Sequence, residues 1–273
     1  MNVFEDVGFQ WDRCSVPKHV PTHTVARATF RMHKMLAEFV FDASMLEGYP
    51  VSYPEVQTLL AGITVGGKRV SEQTQVLNII DGYRMLLAMV KGGMHQSPFS
   101  LCEPVFSRLH AVACSRLGPD WGQFRGAEQP QEGRHLQSQR VRGQPALQTP
   151  FAALGQSALY RPKATEPGAA SLRQVFDAGV VSLHRACAPF ERALVFFLFG
   201  SLHKFFYAGN TRTSRMMMNG LLMAHGMDAI SVPAARAQEF NERLLDFYIT
   251  KDATDMLALL VSCHPDFETD VGN

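Results

Sequence analysis

The sequence predicts a mainly α protein, folded as a single helical domain with one long flap-like loop or short hairpin. Apolar residues recur in steps of three and four, as at Val76, Ile80, Tyr83, Leu87 and Val90, and such residues share one helix face. No run alternates apolar and polar residues long enough to build a sheet. The 273 residues, 46% apolar and 19% charged, suffice for a sizeable core, which excludes a disordered chain or a fibre.

The elements follow in order. Residues 1–24 read as an N-terminal extension, residues 25–265 as the helical domain and residues 266–273 as a tail. A first helix spans roughly Thr24 to Met45, with Phe30, Ala37, Val40 and Phe41 inward. After Gly48, Ser52-Tyr53-Pro54-Glu55 forms a capping box: the Ser52 hydroxyl caps a new helix and Glu55 reaches back to the Ser52 amide. The Val76–Val90 helix comes next, then one through Leu101, Val105, Leu109 and Val112. Between Gly118 and Gln148 five Gly and seven Gln replace the apolar period, so a loop is expected, with a flap-like region over about 118–162. Helical spacing returns at Ser171 and continues through Ala193–Tyr207, Arg212–His225, Ala234–Tyr248 and Thr254–Cys263.

Composition narrows the function. A net charge of +1 leaves no global field for a nucleic acid or an anionic membrane, so any anion must be held locally. Five scattered cysteines, none in a CxxC pair, suggest neither a disulfide framework nor a zinc site and fit a reducing cytoplasm. MNVFEDVGFQWDR lacks the basic start and apolar run of a secretory signal. The run Ala193–Phe199 falls short of the roughly 20 residues needed to cross a bilayer.

Chemistry concentrates in residues 203–215, HKFFYAGNTRTSR. Gly209-Asn210 breaks the helical pattern, and Asn210 suits the N-cap of a helix starting near Thr211. The first amides of that helix, with its dipole, would attract an anion. Arg212 and Arg215, three apart, share a face and can converge on it. Taken singly, an arginine pair is commonly a solvated face and Gly-Asn a helix terminator. Their coincidence beside strongly apolar flanks points to a phosphate site.

GNTRTSRMMMNGLLMAHGMDAISVP resembles the second half of the Fic domain (filamentation induced by cAMP), whose motif runs H-x-F-x-[D/E]-G-N-[G/K]-R-x-x-R. Upstream, DASMLEGYPVSYPEVQTLL resembles the family's S-x-x-x-E-G inhibitory helix, here about residues 25–47. VLNIIDGYRMLL and Tyr160-Arg161-Pro162 fall in the expected order, so the resemblance covers most of residues 30–235. It implies a protein adenylyltransferase that binds ATP with magnesium and transfers AMP to a Ser, Thr or Tyr hydroxyl of a target protein. The loop amides and Asn hold phosphates, the first Arg contacts them, the second takes the γ-phosphate, and an inhibitory Glu pairs with that second Arg. By position these roles fall on Gly209, Asn210, Thr211, Arg212, Arg215 and Glu47. A homodimer is compatible with the resemblance; no nucleic-acid or membrane partner is implied.

The chain departs from the motif where its base and its acidic residue stand. Counted back from Asn210 without a gap, the base position is Lys204 and the acidic, magnesium-holding position is Ala208, while His203 lies one residue early. One residue is about 100° of helix rotation. His203 therefore serves as the base only through a bulged loop; the gapless loop puts Lys204 there and Phe206 in the buried aromatic place. A slight preference goes to the bulge, because imidazole is the better proton acceptor near pH 7. Weaker magnesium binding is expected without the carboxylate. The alternatives to AMP transfer are a catalytically impaired nucleotide-binding or regulatory module, or a transferase of another phosphate-linked group.

Overall fold

The computed structural model describes residues 2–67, 69–93, 98–117, 121–127, 152–154 and 157–267. The expected 118–148 loop lies largely outside the described residues. Eleven α-helices are present among them, α1 (Val3–Val7), α2 (Val25–Lys34), α3 (Leu36–Leu46), α4 (Tyr53–Leu60), α5 (Val70–Gly93), α6 (Glu103–Ala113), α7 (Ala170–Ala186), α8 (Pro189–His203), α9 (Asn210–Ala224), α10 (Ala237–Thr250) and α11 (Thr254–Ser262). Two short strands, β1 (Ala152–Leu154) and β2 (Ser157–Tyr160), form an antiparallel hairpin that pairs Ala153 with Ala158 and Leu154 with Ser157. The fold class is mainly α with a short hairpin.

Helices α8 and α9 form the centre. From Ala193 to Leu202 every α8 residue is buried, and α9 buries thirteen of its fifteen residues, including Met216, Met217 and Met218. A helix apolar on all sides belongs inside a protein, and α5, α6 and α7 supply the cover. Close approach of the two central helices requires Gly200, because a Cβ there would sit 2.2 Å from Ser214 Oγ. Phe106 of α6 packs on Phe124, Phe176, Phe196, Phe205 and Phe206, so one aromatic cluster supports the α8–α9 connection from beneath.

The expected 24–45 helix is two helices, kinked at Met35 (φ −95°, ψ 14°), with Met35 N–H still bonded to Arg31 O and Phe39 N–H to Met35 O. Phe30, expected inward, is 57% exposed; Ala28, Met32, Leu36, Phe39 and Val40 face the core instead. The shift is about one residue of helix rotation, and burial of the polar Thr29, whose hydroxyl bonds to Val25 O, disguises it in the sequence. The capping box at Ser52 is formed, with Ser52 N–H to Glu55 Oε2 at 2.7 Å. Residues 1–24, read as an extension, contribute Val7, Phe9, Trp11 and Val16 to the common core. Trp11 Nε1 and Arg13 Nε both donate to Glu191 of α8. No described helix is long and apolar enough to cross a membrane.

Candidate functional site: the α8–α9 loop

Helix α8 stops one turn earlier than its apolar pattern suggests. Lys204 takes the left-handed conformation (φ 47°, ψ 64°), uncommon for a residue with a side chain, and turns the chain out of the helix. Arg125, 1% exposed, fixes the turn: its Nε donates to Lys204 O at 2.5 Å, and its own N–H donates to Phe205 O at 2.7 Å. Phe205 and Phe206 then plunge into the aromatic cluster.

The far end of the loop is fastened from α6. His110 Nδ1 accepts from Gly122 N–H and Nε2 donates to Ala208 O, each at 2.8 Å, while its ring stacks on Phe206 at 3.8 Å. Burial pulls the His110 pKa down to about 4, against the Ala208 bond, so the imidazole is neutral and the proton sits on Nε2. Gly209 starts α9 from the left-handed region (φ 70°), and a Cβ there would lie 2.2 Å from Cys114 Sγ, so only glycine fits. Burial lifts the Cys114 thiol to about 11, leaving it a neutral packing group.

Asn210 plays a different part from the N-cap expected of it. Gly209 is the N-cap, and the Asn210 carboxamide folds back on the loop, accepting from Phe206 N–H at 2.8 Å and donating to Phe206 O at 2.7 Å. Both ends of its side chain are thereby committed to holding the loop shut. The first intrahelical bond of α9 is Thr213 N–H to Gly209 O, so the amides of Asn210, Thr211 and Arg212 have no acceptor within the helix.

These elements enclose a cleft of about 170 Å³ lined by Glu47, Lys204, Tyr207, Ala208, Gly209, Asn210 and Thr211. The two arginines, 1% and 5% exposed, do not line it and meet it through Glu47. Arg212 donates to Ala113 O (2.7 Å), Gln75 Oε1 (3.2 Å) and the Tyr49 hydroxyl (3.2 Å). Burial opposes its charge, but Glu47 and its other neighbours outweigh that and raise its pKa. Arg215 lies over the Phe240 ring and donates from Nη2 to Glu47 Oε1 at 2.9 Å; Glu47 Oε2 is 3.6 Å from Arg212 Nη2. One carboxylate, at the end of α3, thus faces two guanidinium groups. Arg215 Nη1 and Arg212 Nε, both buried, have no hydrogen-bond acceptor among the described residues.

The two residues weighed as the base lie in different surroundings. The loop is gapless: His203 ends α8 with Nε2 donating to Val7 O at 2.8 Å, packed over Gly8, and does not line the cleft. Burial lowers its pKa to about 4, which keeps the ring neutral for that bond. The physical reason is the left-handed Lys204, which ends the helix without the extra residue a bulge needs. Lys204 lines the cleft instead, its Nζ 4.8 Å from the Tyr248 ring centre. Burial lowers its pKa to about 8, with nearby Glu47 opposing and Arg125 adding to the shift.

The donor set suits a phosphate better than a metal ion. Ala208 offers no carboxylate, its carbonyl serves His110, and Glu47 is engaged by the arginines. Among the described residues, His23, Asp228 and Asp266 do bring ligand atoms within 4.8 Å of one another, but beyond the far end of α9, where Asp228 already pairs with Arg31.

Sequence reading missed His110, Cys114, Arg125, Tyr49, Gln75 and Tyr248. They come from five other segments and carry no local motif. A buried arginine such as Arg125 inside a Gly-rich stretch looks like any solvated one until its carbonyl partners are known.

The sequence matches no family model and no curated protein. Solved structures do match. A Fic domain-containing signalling protein from Bacteroides thetaiotaomicron superimposes with a TM-score of 0.61 at 16% identity, over 96% of this chain and 90% of that one. Residues 134–508 of Fic-1 from C. elegans give 0.59 at 17% identity, over 94% and 67% respectively. A Fic family protein from Desulfovibrio desulfuricans gives 0.59 at 13%, over 90% and 73%. Similarity over nearly the whole chain, together with the helical core around the α8–α9 loop, leads to one conclusion: the chain has the Fic-domain fold.

Proposed function

We propose that this chain binds the polyphosphate of ATP at the start of α9 and transfers AMP to a Ser, Thr or Tyr hydroxyl of a target protein, with Glu47 restraining the site. One observation carries the reading: two nearly buried guanidinium groups share a single carboxylate from another helix, and Arg215 Nη1 has no acceptor among the described residues. A buried unpaired donor costs roughly 1–3 kcal/mol, and a phosphate oxygen would satisfy it. The amides at the helix start, which have no acceptor within the helix, supply further donors, and the helix dipole favours the same charge.

In the proposed step the hydroxyl oxygen bonds to the α-phosphorus as the bond from that phosphorus to the bridging oxygen breaks. Pyrophosphate leaves with the electron pair and takes up the hydroxyl proton. The chain's contribution is electrostatic and positional, which suits a loose phosphoryl-type transition state. No imidazole among the described residues lines the cleft, and Lys204, whose pKa burial lowers only to about 8, is mostly protonated at neutral pH and a weak base, so much of the roughly 10²–10⁴-fold that a general base supplies is lost and transfer is slow.

The test is incubation of Glu47→Gln with ATP labelled at the α- or at the γ-phosphate. The reading expects denaturation-resistant label from the α-position only, on the chain or on a lysate protein. Covalent label from the γ-position would refute AMP transfer. A second reading, favoured by Ala208 and by the diversion of His203, is a binding module without transfer; nucleotide that binds reversibly and leaves no covalent label would support it.

A further inference from the structure

We propose that the site holds polyphosphate without a divalent metal, the Lys204 ammonium standing in the metal's place; this rests on the polyphosphate reading above. Magnesium demands near-octahedral oxygen ligands and is commonly anchored by at least one carboxylate. Among the described residues the cleft presents no such anchor: residue 208 is alanine, both ends of the Asn210 carboxamide are spent on Phe206, and Glu47 lies against Arg212 and Arg215. A cation is built in at the same rim.

Lys204 is held there by its surroundings. Its left-handed backbone is locked by the buried Arg125 through the Lys204 carbonyl, and its ammonium sits over the face of Tyr248, a ring stacked in turn on Tyr160 of the hairpin at 5.5 Å. The ring face attracts the ammonium and partly offsets the burial that works against its charge. Lys204, Arg212 and Arg215 give three positive charges against one from Glu47. Once a phosphate displaces Glu47, all three face the ligand, and a divalent cation beside Lys204 would meet a like charge where its ligand should be. A fixed ammonium neutralises phosphate as a point charge, as lysine does in other phosphate-binding loops.

The experiment is calorimetric titration of Glu47→Gln with inorganic pyrophosphate, in EDTA and in magnesium. The proposal expects comparable affinity in both. It expects a loss of about tenfold or more in EDTA for Glu47→Gln with Lys204→Met, and largely restored binding with Lys204→Arg. Adding Ala208→Asp should weaken binding in EDTA and make it respond to magnesium. Binding only in magnesium, unaffected by Lys204→Met, would overturn the proposal and leave the polyphosphate reading standing. Absence of binding by folded Glu47→Gln in either buffer would overturn both.

Discussion

Replacing Glu47 with Gln keeps the side chain's size and removes its charge, so it isolates what the carboxylate does to the arginines. In the structure Glu47 is 2.9 Å from Arg215 and 3.6 Å from Arg212. At an effective dielectric near 20 the gross attractions are about 6 and 5 kcal/mol, most of which desolvation offsets. What an incoming phosphate must displace is better gauged by a charge-assisted hydrogen bond, about 1.5–3 kcal/mol. At 1.4 kcal/mol per decade, ATP or pyrophosphate should bind Glu47→Gln roughly 10- to 150-fold more tightly than wild type. The ligand-free variant should melt lower, because two buried cations lose their counter-charge, and saturating pyrophosphate should recover the loss. Isothermal calorimetry and thermal melts read both effects. Equal affinity in the two proteins, with equal melting temperature, would refute the idea that this carboxylate occupies the phosphate's place.

Two further outcomes follow from the histidines. His203→Ala removes the donor to Val7 O, so it should destabilise the fold by roughly 1–3 kcal/mol, while pyrophosphate affinity of the Glu47→Gln background changes less than about twofold; a normal melt with lost binding would return His203 to the site. His110 has a folded pKa of about 4 against 6.5 unfolded, so its contribution to stability is complete above pH 6.5 and is lost as pH falls from 6.5 towards 4. At 1.36 kcal/mol per decade this amounts to about 3 kcal/mol, measured as the difference in pH dependence between wild type and His110→Gln; parallel curves would contradict a neutral buried imidazole.

Much of the architecture is legible in the sequence because its signals are local. The 3-4 apolar steps mark α5, the Ser52–Glu55 pair marks the start of α4, and Gly209-Asn210 marks the break before α9. Arg212, Arg215 and Glu47 stand out through motif spacing, and the structure brings all three together. The register of the base does not show, since it depends on whether one residue with a side chain, Lys204, adopts a left-handed conformation. That choice is decided by Arg125, 79 positions away along the chain. Asn210 was legible as a residue that shapes the turn and illegible as to how, because an asparagine can cap a helix or clamp a loop with the same atoms. Phe30 shows the converse limit: an apolar residue in an amphipathic helix faces solvent when the polar Thr29 satisfies its own hydroxyl within the helix and is buried in its stead.

The central claim, that the start of α9 is a polyphosphate site restrained by Glu47, is tested most directly by a crystal structure of Glu47→Gln grown with ATP. The account predicts phosphate oxygens at hydrogen-bonding distance from Arg215 Nη1 and the Thr211 amide, with the Lys204 ammonium beside them. Nucleotide bound elsewhere, or a cleft without phosphate density at saturating ATP, would contradict it.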